Sequence, residues 1–202
     1  MDAFTKTDTM APGAARRFRL MERTHDEPGR ERLEQFVAET FAQAHGATVH
    51  AFMPSMLGLE DGGGRLRCVL GLRGAESGEL FLERYLDRPI EESIAQAAGL
   101  DSAIPRGTIV EVGNLAGRGC RAAMHLVARL PRLLGARGFT WVSFTATTRV
   151  RELLAAFDAP LLDLGPADPA RLGEGARDWG RYYATRPRVL AGWLPHGLAG
   201  RR

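Results

Sequence analysis

Hydrophobic positions along the chain follow two different periods, and the changeovers between them outline its elements. In RFRLMERTH, Phe18 and Leu20 alternate with polar residues, the two-residue period of a half-buried strand. GRERLEQFVAETFAQAHG turns helical: Leu33, Phe36, Val37, Thr40, Phe41 and Ala44 share one face, and Gly46 supplies a C-terminal stop. TVHAFMPSMLGLE and RLRCVLGLRG return to strand pattern on either side of Asp61-Gly62-Gly63-Gly64, predicting a β-hairpin with Pro54 at an edge or bulge of its first strand. ELFLERYLD alternates again and reads as a further strand. PIEESIAQAAG, begun by Pro89 with Ile90, Ile94 and Ala98 in phase, predicts a short helix. IVEVGNLA reads as a strand. CRAAMHLVARLPRLLGARG reads as a helix kinked at Pro131, with Met124, Val127, Leu130 and Leu134 on one face and Arg121, His125, Arg129 and Arg132 on another. FTWVSFTAT, TRVRELLAAFDA and PLLDLG follow as strand, helix and last short strand, ahead of a polar, Arg-rich tail.

This order predicts one α/β domain, a single mixed sheet with helices packed on it. The expected organisation is a disordered leader over residues 1–15, a domain over 16–192 and an Arg-rich tail over 193–202. No internal repeat or linker divides the chain.

Composition narrows the classes. In 202 residues, 45% hydrophobic content is enough for a sizeable core. The net charge of +3 comes almost wholly from arginine, Lys6 being the one lysine. Acids are interspersed with these arginines, so a nucleic-acid partner is not expected. Cys68 and Cys120 are too few for a disulfide framework, and neither they nor the five histidines have metal-ligand spacing, so no metal is expected. Cys68 reads as a small core residue. The N-terminus has no signal-type apolar core, and no apolar run reaches membrane-spanning length. The expectation is a cytoplasmic protein without stable membrane insertion.

Candidate chemistry concentrates in IVEVGNLAGRGCRAAM, residues 109–124. Gly113 inside a strand marks a bulge or a close approach by another backbone or a ligand, and Asn114 tolerates unusual backbone angles. Gly117-Arg118-Gly119 then leads into a helix N-terminus, whose free N–H groups and positive dipole end can seat a phosphate, with Arg118 and Arg121 adding charge. An extended amide-bearing arm beside the strand, with phosphate at the next helix, is how a phosphopantetheine thioester can be held. Glycine-containing strand-to-helix turns also occur without any ligand. Glu111, a carboxylate on an apolar strand, needs either a charge partner such as Arg84 or a task.

IVEVGNLAGRGCRAAMHL, GFTWVSFTATTRVRELLAAFDAPLLDLG, DWGRYYATRPRV and LFLERYLDRPIEESI together resemble the thermostable hemolysin family across most of residues 18–192. That family is similar to the GNAT acyltransferases, especially acyl-homoserine-lactone synthases. The resemblance implies a GNAT-like fold: a mostly antiparallel mixed sheet with helices on both faces, whose fourth and fifth strands splay to admit an acyl-pantetheine arm. It implies acyl-CoA or acyl-phosphopantetheine as co-substrate rather than a tightly bound cofactor, a small-molecule amine acceptor, and an acyl carrier protein as an alternative donor. The synthases carry Glu-x-Ser-Arg on this strand; here Glu111 is kept, and Gly113 and Asn114 stand at the next two positions.

Acyl transfer to an amine needs a base, a polarised carbonyl and a route for the thiolate. Glu111 is the candidate base, Asn114 a carbonyl donor, and Glu83, read as sharing a strand face with Phe81 and Tyr85, a third catalytic candidate. Val112, Gly113, Leu115, Gly117, Arg118, Gly119, Arg121, Thr145 and Thr147 are the expected donor-binding residues. Tyr182 or Tyr183 is a further candidate for protonating the thiolate. The competing readings are a membrane-damaging hemolysin, which needs an amphipathic element free to leave the core, and a GNAT-like binding module without activity.

Overall fold

The strand patterns gather into a single sheet of seven strands. In chain order these are β1 (Arg19–Arg23), β2 (Ser55–Glu60), β3 (Leu66–Gly74), β4 (Ile109–Gly117), β5 (Trp141–Ala146), β6 (Leu161–Pro166) and β7 (Arg188–Trp193). The helices are α1 (Arg30–His45), α2 (Ile90–Ala98), α3 (Cys120–Val127), α4 (Leu130–Gly135) and α5 (Thr148–Ala155). A computed structural model describes residues 18–157 and 160–194; the expected leader and residues 195–202 of the expected tail lie outside them.

Strand order is β1-β2-β3-β4-β5-β7-β6. Neighbours are antiparallel except β4 and β5, which run parallel. The helices cover both faces. On one, α1 packs Leu33, Phe36 and Val37 against Met56, Val69 and Ala116, and α2 packs Ile90 and Ile94 near Ile109 and Val189. On the other, Ala122, Leu126, Leu130, Leu134 and Leu153 of α3, α4 and α5 cover Leu57, Leu70, Val110 and Val112. Cys68 lies fully buried in this second layer, where burial pushes its thiol up to about 12. The result is a mixed, mostly antiparallel sheet between two helical layers.

Four local expectations change. Residues 48–54 are not strand; β2 begins at Ser55, just after Pro54, because proline has no N–H to give a strand that is paired on both sides. ELFLERYLD is a 3-10 turn over Phe81–Tyr85, with Leu82 and Tyr85 buried three residues apart. The helix containing Pro131 separates into α3 and α4, and α3 buries Ala122, Ala123 and Leu126 while Met124 is 40% exposed. The segment after PLLDLG holds a further strand, β7, inserted between β5 and β6 and burying Val189, Leu190 and Ala191.

Two features of β4 position the site. Gly113 pairs with Gly71 and Ala116 with Val69, so Asn114 and Leu115 together face the single residue Leu70. The extra residue is a bulge, with Asn114 at φ 49 in the left-handed region. Pairing with β5 ends at Val112↔Phe144, although β4 runs on to Gly117 and β5 to Ala146. The two parallel strands therefore part where the bulge begins.

Candidate active site

The parting of β4 and β5 opens into a cavity of about 940 Å³. Its lining comes from both faces of the sheet. Toward α3–α5 it is apolar, with Val112, Leu130, Phe144, Leu154 and Phe157; toward α1 and the 3-10 turn it carries Arg73, Phe81, Arg84, Glu111, Trp179 and Tyr182. One end suits a hydrocarbon chain and the other suits polar chemistry.

Glu111 sits in the polar end, 3% exposed. No arginine pairs with it among the described residues. Its Oε2 accepts the Phe81 N–H at 2.9 Å and its Oε1 the Leu82 N–H at 3.1 Å, so the carboxylate caps the amino end of the 3-10 turn. Each oxygen keeps a second acceptor site. Burial pushes the carboxyl up to about 7; the two amides and Arg73, opposite it on β3, hold it down, and Glu83 adds a smaller upward push. The group therefore changes charge near neutrality, as a general base should.

Glu83 is placed elsewhere. On the turn rather than a strand, it accepts the N–H groups of Leu80 at 2.6 Å and Ile90 at 2.8 Å. Arg106 grips both its oxygens, at 2.8 and 2.9 Å. Burial pushes Glu83 up, but Arg106 and the two amides outweigh it and hold the carboxyl below its usual range. It does not line the cavity; it fixes the turn that Glu111 caps.

Asn114 lines the cavity with its side chain already engaged. Oδ1 accepts the Met53 N–H at 2.9 Å, and Nδ2 donates to the Ala51 carbonyl at 3.3 Å. Arg30, 3% exposed, holds the other side of this segment by donating to the carbonyls of Met53 at 2.6 Å and Pro54 at 2.8 Å. The glycines Gly71 and Gly113 face each other beneath it. A Cβ on Gly71 would stand 2.5 Å from the Met53 Cβ, close to the backbone, whereas one on Gly113 would meet the movable Met53 Cε at 2.3 Å. The close approach that Gly113 announces is thus Met53, a wall of the cavity.

The other candidates divide. Val112, Gly113, Leu115, Thr145 and Thr147 line the cavity. The Thr147 hydroxyl also caps α5 by accepting the Val150 N–H at 3.3 Å. Gly117, Arg118, Gly119 and Arg121 lie beyond it, at the start of α3. There Gly119 has φ 108, open space around its Cβ position, and no side chain caps the helix. Arg118 is committed elsewhere, its guanidinium 3.2 Å from Glu39 and over the Phe36 ring. Tyr182 lines the cavity against Phe41 and Trp179, and burial raises its phenol; the Tyr183 hydroxyl is 2.6 Å from that of Tyr85. Among the described residues no three His, Cys, Asp or Glu side chains converge as a metal site.

Sequence reasoning passed over Arg73, Gly71, Met53 and Trp179. Only Trp179 gave a signal, as part of an aromatic cluster; Arg73 and Gly71 acquire their roles from strand register, and Met53 from the Asn114 and Arg30 bonds that hold its segment over the bulge.

The sequence model of the thermostable hemolysin family matches residues 23–198. The chain belongs to this family. No curated protein matches its sequence at a significant level. Among solved structures, this family member is similar to the AHL synthase LasI, at 11% identity over 93% of this chain and 100% of that one, TM-score 0.63. It is also similar to FeeM, an N-acyl amino acid synthase from uncultured soil microbes, at 15% identity over 88% and 92% of the two chains, TM-score 0.54. A protein from Lactobacillus plantarum assigned as an N-acetyltransferase matches at 10% identity over 88% and 98%, TM-score 0.53. At these identities the likeness is one of fold, and the fold is GNAT-like.

Proposed function

We propose that this protein is an N-acyltransferase that moves an acyl group from a phosphopantetheine thioester, on CoA or an acyl carrier protein, to a small amine. The observation that carries this reading is the parting of β4 and β5 into one cavity, apolar at one end and holding Glu111 at the other. Past Val112 the facing edges of the two strands are free to bond the amides of a pantetheine arm, as a sheet edge takes an added strand. The acyl chain then lies among Leu130, Phe144, Leu154 and Phe157. The uncapped start of α3, from Gly117 to Arg121, is the proposed phosphate seat. Similarity in fold to LasI, an AHL synthase by name, and to FeeM, an N-acyl amino acid synthase by name, supports the same class.

In this mechanism Glu111 takes the proton that the amine loses as nitrogen bonds to the thioester carbonyl carbon. The C–S bond breaks, and the proton passes to the departing thiolate. Asn114 positions the Met53 wall and keeps one amide hydrogen for the carbonyl. The test is amine-dependent release of free thiol from acyl-CoA and acyl carrier protein substrates of graded chain length, with the N-acyl product identified by mass spectrometry. Thiol release that requires an amine is expected; its absence across donors and amines overturns the reading.

A further inference from the structure

The polar end of the cavity carries two guanidiniums with no carboxylate partner. Arg73, half-buried on β3, donates only to the Glu79 carbonyl oxygen, at 3.4 Å. Arg84 lies 5.2 Å over the Phe81 ring, and neither forms an ion pair among the described residues. By contrast Arg106, which grips the 3-10 turn that carries Arg84, is ion-paired to both Glu83 and Glu91. Guanidiniums that line a largely apolar cavity without being tied into an ion pair favour an anion entering it.

Register adds the geometry. Arg73 and Glu111 are paired residues of antiparallel neighbours, so their side chains project from one sheet face with the strands about 4.8 Å apart. A cation-binding and an anion-binding group this close match a molecule carrying amine and carboxylate on one carbon. Phe81 and Trp179, with ring centroids 5.6 Å apart, offer an apolar wall beside them.

We infer that the acceptor is an α-amino acid with an apolar side chain, its carboxylate held by Arg73 and Arg84 and its amine presented to Glu111. This rests on the acyltransferase reading and deepens it. Glu79, exposed on the same wall, disfavours acceptors with a second carboxylate. The balanced step joins the amino acid and the thioester into an N-acyl amino acid and a free thiol. Nitrogen bonds to the carbonyl carbon, the C–S bond breaks, and the proton from nitrogen reaches sulfur through Glu111.

The experiment compares leucine and phenylalanine with leucinamide and phenethylamine as acceptors for the same acyl thioester. The amino acids should exceed their carboxylate-free counterparts in kcat/KM by roughly 100-fold, the scale of two charge-assisted hydrogen bonds. Arg73→Gln and Arg84→Gln should each raise the amino-acid KM by roughly tenfold or more and collapse that preference, with the KM of the acyl donor unmoved. Arg84 is exposed, so its variant reports even if the Arg73 variant folds poorly. Equal transfer to amino acids and amines overturns the inference and leaves the acyltransferase reading standing. A preference that survives both substitutions also overturns it. No transfer to any acceptor removes the reading beneath it.

Discussion

Glu111 has both of the things a carboxylate on an apolar strand requires, a partner and a free lone pair facing a cavity. Its partners are the Phe81 and Leu82 amides, which Glu111→Gln can satisfy only once, because the new NH2 group meets an N–H. Some stability is therefore lost whatever the chemistry, and the pH profile must discriminate. In the native protein, kcat/KM should rise with pH through about 7 as the base ionises. The Gln variant should lose that limb and about 100- to 10,000-fold in rate. A purely structural Glu111 would leave the limb in place. Stability runs the opposite way: the raised carboxyl binds its proton more tightly folded than unfolded. Native stability should thus fall as pH rises from 4.5 to about 7, a slope absent from the variant in denaturant titrations at each pH. Glu111 and Asn114 were legible because a buried charge and a residue tolerant of positive φ stand out in any apolar run. Arg73 and Gly71 were not, because each matters only for what lies across from it, and register is invisible in one strand.

The elements misread share a cause: tertiary contacts overruled local pattern. ELFLERYLD alternates like a strand, yet Glu83 is claimed by Arg106, 23 residues later, and the amides of Phe81 and Leu82 by Glu111. β7 was passed over because an interior strand with Val189, Leu190 and Ala191 all buried shows a short apolar run and no alternation. In α3 the buried face belongs to two alanines and Leu126, and the bulkier Met124 drew the phase the wrong way. The hairpin, α1, α2 and β4 were legible because their periodicity and their turn residues agree. Arg106 is the tie that these contacts expose to test. It reaches Glu83, Glu91 and the carbonyls of Ala75 and Gly78. Arg106→Ala should cost roughly 2 kcal/mol, below the figure for a fully buried pair because the guanidinium is 28% exposed. Arg106→Lys should recover only part, lacking the fork. Glu83's lowered pKa gives stability that is present above pH 4.5 and lost as pH falls through its folded value. The deficit, read from urea midpoints, should therefore shrink in acid.

At the scale of the molecule, α3 spends its apolar face on covering the sheet, and no helix among the described residues is long and apolar enough to cross a membrane. What sets this sheet apart is its middle. β4 and β5 meet over four residue pairs, Ile109–Val112 with Trp141–Phe144, whereas β3–β4 and β5–β7 each register six. The sheet is thus two flaps, β1–β4 and β5–β7, joined along its shortest seam. Amide-hydrogen exchange should find the flaps opening along that line at a lower free energy than global unfolding, with Ile109–Val112 and Trp141–Phe144 exchanging together. An acyl-pantetheine arm laid along the unzipped half would work as a removable stitch, slowing exchange on both flaps while it is bound. If the donor enters by this gap, the same line would be where the protein opens most readily, and each turnover would mend it and part it again.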